Sequence, residues 1–180
     1  MDFGTSQLSP VTMSGLESHS MEFEAMMRLF SEALTCGRFC LSGPEWPGSA
    51  PGKPGPGVAG IRTVQAGESA GYGRVFQAEQ ETKLAVVTIG YADGLPRDLP
   101  QRGGQVLIQG RRCPMVGWMC MDQLLVDVSD LSEVAPDDTV TIIGRDGGQV
   151  IRAEELAACC GTITNELLSR LGMRLPIVSG

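Results

Sequence analysis

The sequence predicts a mainly β fold, an antiparallel barrel or sandwich, with two short helices at the C-terminal end and a helical segment at the N-terminus. In residues 61–180, short β-rich runs alternate with turn signals. No long helix separates these runs, as the crossovers of a parallel sheet would require. The 180-residue chain has 42% hydrophobic residues, so it can bury one sizeable core.

Five strands are predicted within this domain. The most apolar run, Lys83–Gly90, is typical of a buried strand. Turn signals such as Asp93-Gly94 and Gly103-Gly104 separate or flank the strands. The other four predicted strands are Gln105–Gln109, Arg111–Val116, Gln123–Val128 and Thr139–Ile143.

Two short helices are predicted to close the domain. Ala153–Cys160 begins with two glutamates, whose negative charge favours the first turn, and Gly161 is a typical stop signal. Asn165–Leu171 follows, with Thr162 or Thr164 as its expected N-cap.

The first 60 residues have a different composition. In residues 1–42, apolar residues recur at steps of three and four between Met21 and Leu34, which predicts one amphipathic helix. More than half of residues 43–60 are Gly or Pro, so this stretch is predicted to be a linker without a persistent helix or strand. The β-domain is therefore predicted to occupy residues 61–180.

Charge and cysteine content argue against several classes of protein. Lys and Arg number 14 against 21 Asp and Glu, and a net charge of −7 argues against a nucleic-acid groove. No apolar run reaches the roughly 18–20 residues of a membrane span, and Met1–Pro10 lacks the features of a signal peptide, so we expect a cytoplasmic protein. The 6 cysteines have no CxxC spacing and His19 is the sole histidine, so we expect free, mostly buried thiols and no metal site.

Two loops contain the residues best placed for chemistry. Tyr91 follows a predicted buried strand and precedes the Asp93-Gly94 turn, where a side chain has a rigid base and opens to a cleft. Its phenol, which titrates near pH ~10, needs a nearby cation to act as a base at neutral pH. In the second loop, the backbone N–H of Met121 can bind a carboxylate. The residues alone leave open whether these are site groups or a packed barrel rim and an ordinary turn.

Four segments carry a more specific pattern: Ile61–Arg74, Gly90–Arg97, Met119–Val128 and Gly161–Gly172. In this order they resemble the C-terminal domain of the alanine racemase family, whose enzymes depend on pyridoxal phosphate (PLP). The resemblance extends over about two thirds of the chain. Its ending is most similar to the serine/alanine racemase branch found in vancomycin-resistance clusters.

The resemblance implies a β-barrel-like domain that completes an active site in a head-to-tail dimer. The barrel domain of one subunit would hold PLP on a Schiff-base lysine, and the C-terminal domain of the other would close the site. Tyr91 would be the catalytic base that acts in trans, and Met121 would contact the substrate carboxylate through its backbone. The substrate would be L- or D-alanine, or serine, and the pathway D-alanine supply for peptidoglycan precursors.

The chain departs from the family in the cofactor-holding residues. Its only lysines are Lys53, in the Gly/Pro-rich stretch, and Lys83, beside a predicted turn, and neither is a candidate for the Schiff base. Trp118 stands where the family usually has a basic residue, and Met173 stands where many members have a Tyr that touches the PLP phosphate. No residue of the chain is therefore assigned to cofactor binding.

Three interpretations follow. In the first, the chain supplies Tyr91 and Met121 to a barrel domain on another chain or second subunit. In the second, it is a catalytically inactive β-domain that acts as an interaction or dimerisation module. In the third, it is the remnant of a truncated gene. We expect no racemase activity from the chain by itself.

Overall fold

The computed structural model describes residues 55–172. The helix predicted in residues 1–42, most of the predicted linker and Met173 lie outside this range. The strands are β1 (Val58–Val64), β2 (Ser69–Ala70), β3 (Phe76–Gln77), β4 (Thr82–Val87), β5 (Gln105–Ile108), β6 (Arg111–Val116), β7 (Leu124–Asp127), β8 (Val140–Thr141), β9 (Gly144–Asp146) and β10 (Gln149–Ile151). The α-helices are α1 (Ala153–Cys160) and α2 (Thr164–Ser169).

Six strands form one antiparallel sheet in the order β1-β4-β7-β6-β5-β8. Two further pairs, β2 with β3 and β9 with β10, form small antiparallel sheets. The chain before β1 meets the chain before β8: Gly57 bridges to Thr139, and three backbone hydrogen bonds link residues 56–58 with residues 137–140. No continuous ladder closes the six strands into a barrel within residues 55–172, so the barrel part of the expectation is not confirmed. The mainly β, antiparallel character and the two C-terminal helices are confirmed.

The strand predictions differ from the structure mainly at strand ends. β6 has the predicted bounds. β4 ends at Val87, before the predicted end at Gly90, because Thr88 exchanges hydrogen bonds with Gly57 instead of continuing the ladder. β8 contains only Val140–Thr141 of the predicted Thr139–Ile143. Ile142 and Ile143 are buried in the core but lie beyond the end of the strand.

β1 begins inside the stretch that composition predicts to be a linker. Residues 55–58 are buried, and the Val58 N–H donates to the carbonyl of Asp138 at 2.9 Å. Pairing and burial therefore override the low strand propensity of a Gly/Pro-rich segment. Residues 55–60 belong to the β-domain, ahead of the predicted boundary at residue 61.

The two helices end the described part of the chain. Gly161 adopts the left-handed conformation (φ 69°), and its N–H reaches the carbonyls of Ala157 and Ala158, which terminates α1 at the predicted residue. α2 begins after Ile163 and not after a threonine cap. The Thr162 hydroxyl instead donates a hydrogen bond to the Glu166 carboxylate.

Candidate active site

The register of the sheet places the two sequence-predicted site residues at the same edge. β4 and β7 are antiparallel neighbours, and Val87 at the end of β4 pairs with Leu124 at the start of β7. Tyr91 follows β4 and Met121 precedes β7. Because the end of one antiparallel strand adjoins the start of its neighbour, the loops that carry the two residues lie side by side.

Main-chain hydrogen bonds join these loops directly. The Tyr91 N–H donates to the Cys120 carbonyl, and the Ala92 N–H donates to the Met121 carbonyl, both at 3.0 Å. A Cβ on Gly90 would lie 2.2 Å from the Met121 carbonyl oxygen and 2.4 Å from that of Cys120. Only glycine permits this approach, so the sequence of the first loop fixes its contact with the second.

The turn that carries Tyr91 is also held from its other side. The buried Asp93 carboxylate accepts a hydrogen bond from the Gly90 N–H at 2.8 Å, which closes a short 3-10 turn. The Asp93 carbonyl accepts another from the Gly172 N–H at 3.2 Å. Gly94 has φ 104°, and a Cβ there would meet the Arg170 carbonyl oxygen at 2.1 Å. The turn is thus packed against the segment that follows α2.

Within this backbone framework both residues remain partly exposed. Tyr91 is 39% exposed and Met121 is 53% exposed. No backbone carbonyl of residues 55–172 accepts a hydrogen bond from the Met121 amide. The edge therefore presents a phenol, which can accept and donate a proton, beside an amide that can donate to a carboxylate.

An aromatic–cation stack joins these two loops to the β2–β3 hairpin. The Arg97 guanidinium carbon is 4.8 Å from the centre of the Trp118 ring and 5.9 Å from that of Tyr72. Both distances fall within the roughly 6 Å range of cation–π attraction. Sequence reasoning missed this stack, because no spacing rule connects three residues from separate loops.

The cysteines have different environments. Cys113 is buried, and burial raises the pKa of its thiol to about 11. Cys120, Cys159 and Cys160 are half-buried free thiols, and burial also raises the pKa of Cys160. The expectation of mostly buried thiols is therefore wrong for the described residues. Burial disfavours the thiolate that a cysteine nucleophile would require at Cys113 and Cys160.

Two further features of residues 55–172 limit the site classes. They contain no group of three or more His, Cys, Asp or Glu residues that could hold a metal ion. Over the same range, the helices are too short or too polar to cross a membrane.

The described residues do not fit the covalent anchoring of PLP. Lys83 is the one lysine between residues 55 and 172. It is exposed and pairs with Thr63 across the ladder. At about 3.3 Å per strand residue, it lies about 13 Å before the end of β4 that leads to Tyr91. The described residues therefore contain no lysine placed beside Tyr91.

The described residues thus define a class of protein: an antiparallel β-domain that carries a phenol and a backbone amide on neighbouring loops at one edge. Residues 56–179 match the alanine racemase C-terminal domain, and the chain belongs to that family. An amino-acid racemase from Enterococcus faecalis is 48% identical over 118 residues, which are 66% of this chain and 17% of that protein. The alanine racemase of Nostoc sp. is 42% identical over 121 residues, which are 67% of this chain and 31% of the relative.

Solved structures show the same similarity. The biosynthetic alanine racemase of Pseudomonas aeruginosa is 39% identical with a TM-score of 0.62, over 70% of this chain and 34% of that one. The alanine racemase of Bartonella henselae, with covalently bound pyridoxal phosphate, is 34% identical with a TM-score of 0.59. That match covers 66% of this chain and 32% of the Bartonella chain. The chain therefore spans about a third of these two structures.

Proposed function

We propose that the chain supplies one wall of an amino-acid racemase site and that another polypeptide supplies the cofactor-holding part. The proposal rests on the position of Tyr91 and Met121 on neighbouring loops at one edge of the sheet. The β4–β7 register places these loops side by side, and two backbone hydrogen bonds join them. Membership of residues 56–179 in the alanine racemase C-terminal domain family supports it.

The proposed role of Tyr91 is proton transfer at the α-carbon of the amino acid. A phenol can take and return a proton only if it is held within hydrogen-bond reach of the reacting atom. The rigid 3-10 turn, fixed by Asp93 and Gly94, meets the requirement for a defined position. The partial exposure of the side chain lets it reach a substrate bound outside this domain.

The proposed role of Met121 belongs to its main chain. Its amide is not engaged by a backbone carbonyl of residues 55–172, whereas its carbonyl is engaged by Ala92. An N–H held in a fixed direction is suited to a substrate carboxylate. Binding the carboxylate at Met121 would place the α-carbon of the same small molecule near the neighbouring loop of Tyr91.

The rest of the site would come from a barrel domain in trans, on a separate chain or a second subunit in a head-to-tail dimer. Lys83 is badly placed for PLP, and the chain covers only 17% to 31% of the two curated relatives named above. We assign the PLP lysine to the barrel domain for these two reasons. Alanine or serine is the proposed substrate, in a cytoplasmic reaction that supplies D-alanine for peptidoglycan. An Enterococcus relative is named an amino-acid racemase, without restriction to alanine, so the proposal keeps serine beside alanine.

A second candidate function is an interaction or dimerisation module without chemistry. The exposure of Tyr72 (65%) and Met121 (53%) favours it, because large apolar residues at the surface are suited to docking. This candidate and the first one predict the same contact surface. They differ in whether Tyr91 exchanges a proton.

The test is reconstitution of a site from two polypeptides. The full chain is mixed with PLP and the barrel portion of the Pseudomonas aeruginosa alanine racemase, and D-alanine formed from L-alanine is measured. We expect activity that neither polypeptide has alone. Tyr91→Phe should lower kcat by about 10²- to 10⁴-fold, the usual contribution of a positioned acid–base group.

A chimera provides the control for this test, because two polypeptides from different proteins can bind each other too weakly to form a site. Residues 56–179 replace the corresponding segment of the Pseudomonas enzyme, so both halves are covalently joined. A folded chimera that binds PLP but forms no D-alanine would contradict the racemase proposal. That result would favour the interaction module.

A further inference from the structure

The loops of the candidate site are connected beyond Tyr91 and Met121. The Met119 N–H donates to the Arg97 carbonyl at 3.4 Å, and the Gln101 side-chain amide donates to the Gly117 carbonyl at 2.8 Å. The chain from Gly90 to Gln101 therefore follows the chain from Gly117 to Met121 along most of its length. Arg97 and Trp118 stand in the middle of this double loop.

The Arg97 side chain is held by rings and not by an acid. Within residues 55–172 it takes part in no ion pair. Its neighbour Asp98 is engaged elsewhere, because it accepts a hydrogen bond from Arg102 at 2.7 Å. The contacts that orient the Arg97 guanidinium are those with Trp118 at 4.8 Å and Tyr72 at 5.9 Å.

A third segment reaches the stack through the β2–β3 hairpin. Tyr72 lies in the short 3-10 turn between β2 and β3. The hairpin packs close to Gly117, since a Cβ there would lie 3.7 Å from Cβ of Phe76. Arg97 thus contacts two chain segments outside its own loop, one of which carries Met121.

We infer that Arg97 is a positioning residue: its stack with Trp118 and Tyr72 holds the two site loops together and so fixes Tyr91 relative to the Met121 amide. The catalytic consequence of this inference rests on the proposed function, whereas the clamp itself is a property of this chain. Surface loops joined by a few hydrogen bonds open locally. A catalytic group needs its position held within about 0.5 Å.

Amide hydrogen exchange on the full chain tests the clamp without any racemase assay. Arg97→Met keeps an unbranched, flexible apolar stem and removes the guanidinium with its charge. We expect exchange at Tyr91, Ala92 and Met119 to become about two- to fivefold faster, the range of an exposed cation–π contact. The matched control is Arg112→Met, which removes a guanidinium on β6 that pairs with Glu155. The control should leave these three amides unchanged, and equal exchange in Arg97→Met and the parent chain would overturn the inference.

Kinetics of the reconstituted racemase test the positioning. Arg97→Met should lower kcat/KM by about tenfold or more, because small misplacements of reacting groups are costly. Its melting temperature should fall no further than that of Arg112→Met. Trp118→Phe keeps an aromatic face and should retain activity, whereas Trp118→Leu should reproduce the loss.

The outcomes separate the two proposals. If the parent chain forms no D-alanine with the barrel portion, the proposed function fails while hydrogen exchange still decides the clamp. If the parent chain is active and Arg97→Met has unchanged kcat/KM, Arg97 is not a positioning residue.

Discussion

Two regions of the molecule are held together by different kinds of contact, one mainly by the backbone and the other by charged side chains. At the β4–β7 edge, main-chain hydrogen bonds and Gly90 hold the loops of Tyr91 and Met121 together. At the side of β6, the Arg112 guanidinium bridges to α1 by pairing with the Glu155 carboxylate. At the first region the direct contact between the Tyr91 and Met121 loops is made by the backbone, with the Arg97 stack beside it, so the Tyr91 phenol remains available for chemistry. At the second region the charged groups are already used by one another.

The largest expected effect is at Gly90, where the backbones of the Tyr91 and Met121 loops are in direct contact. Gly90→Ala inserts a Cβ 2.2 Å from the Met121 carbonyl oxygen, so the loops must separate. We expect the free energy of unfolding to fall by about 1–3 kcal/mol, the usual cost of overpacking. Activity of the reconstituted racemase should be lost with it. Denaturant unfolding and the D-alanine assay measure the two effects.

The matched control for that substitution is Gly60→Ala in β1. A Cβ there has no heavy atom within 4 Å, and Gly60 does not have a positive φ. This variant should keep the parent stability and activity. Equal stability of Gly90→Ala and Gly60→Ala would show that the loops are not in close contact.

The second effect concerns a cysteine in each region. Burial raises the pKa of Cys113, on β6, to about 11, so little thiolate forms near pH ~8. We expect its alkylation in the folded protein to be about a hundredfold slower than in urea, where a thiol ionises near pH ~8.5. Half-buried Cys120, on the Met121 loop, should be modified before Cys113. Mass spectrometry of the labelled peptides gives both rates, and rapid labelling of Cys113 in the folded chain would contradict its burial.

The smallest expected effect concerns the ion pair between Arg112 on β6 and Glu155 on α1. The hydrogen bond from Arg112 lowers the pKa of Glu155 below its ordinary value of 4.5. Folding therefore favours the carboxylate, and this contribution is present above pH 4.5 and lost as the pH falls through the lowered pKa. Because the Glu155 side chain is 43% exposed, Glu155→Gln should cost at most about 1 kcal/mol at neutral pH.

Unfolding curves at neutral and acidic pH check the sign of this effect. The gap between the parent chain and Glu155→Gln should shrink on acidification. A gap that widens would contradict the pairing with Arg112. Activity at the Tyr91 edge should not change in this variant.

Local signals explain which parts of the fold the sequence predicted. The bounds of α1 follow from its acidic first turn and from Gly161, both of which act within a few residues. β1 could not be placed in the same way, because Val58 becomes part of a strand through burial and a bond to Asp138 from a distant segment. The contact between the two ends of the strand order, at Gly57 and Thr139, likewise depends on pairing between distant segments.

In the candidate site, too, the features set by local sequence were predicted and those set by contacts between distant segments were not. Tyr91 and Met121 were predicted because each lies in a linear motif of its family. Their contact follows from the β4–β7 register, which the sequence does not state. The Arg97 stack was not predicted, since it depends on how three loops fold over one another.

The most direct measurement of the central claim is α-proton exchange in D₂O by the chimera and its Tyr91→Phe variant. If Tyr91 transfers a proton on one face of the α-carbon and the barrel lysine acts on the other, the parent chimera exchanges the α-proton of both alanine enantiomers. Tyr91→Phe should then lose racemisation and exchange with one enantiomer, and keep exchange with the other. Equal loss of exchange with both enantiomers, or full racemisation without the phenol, would contradict a role for Tyr91 in proton transfer.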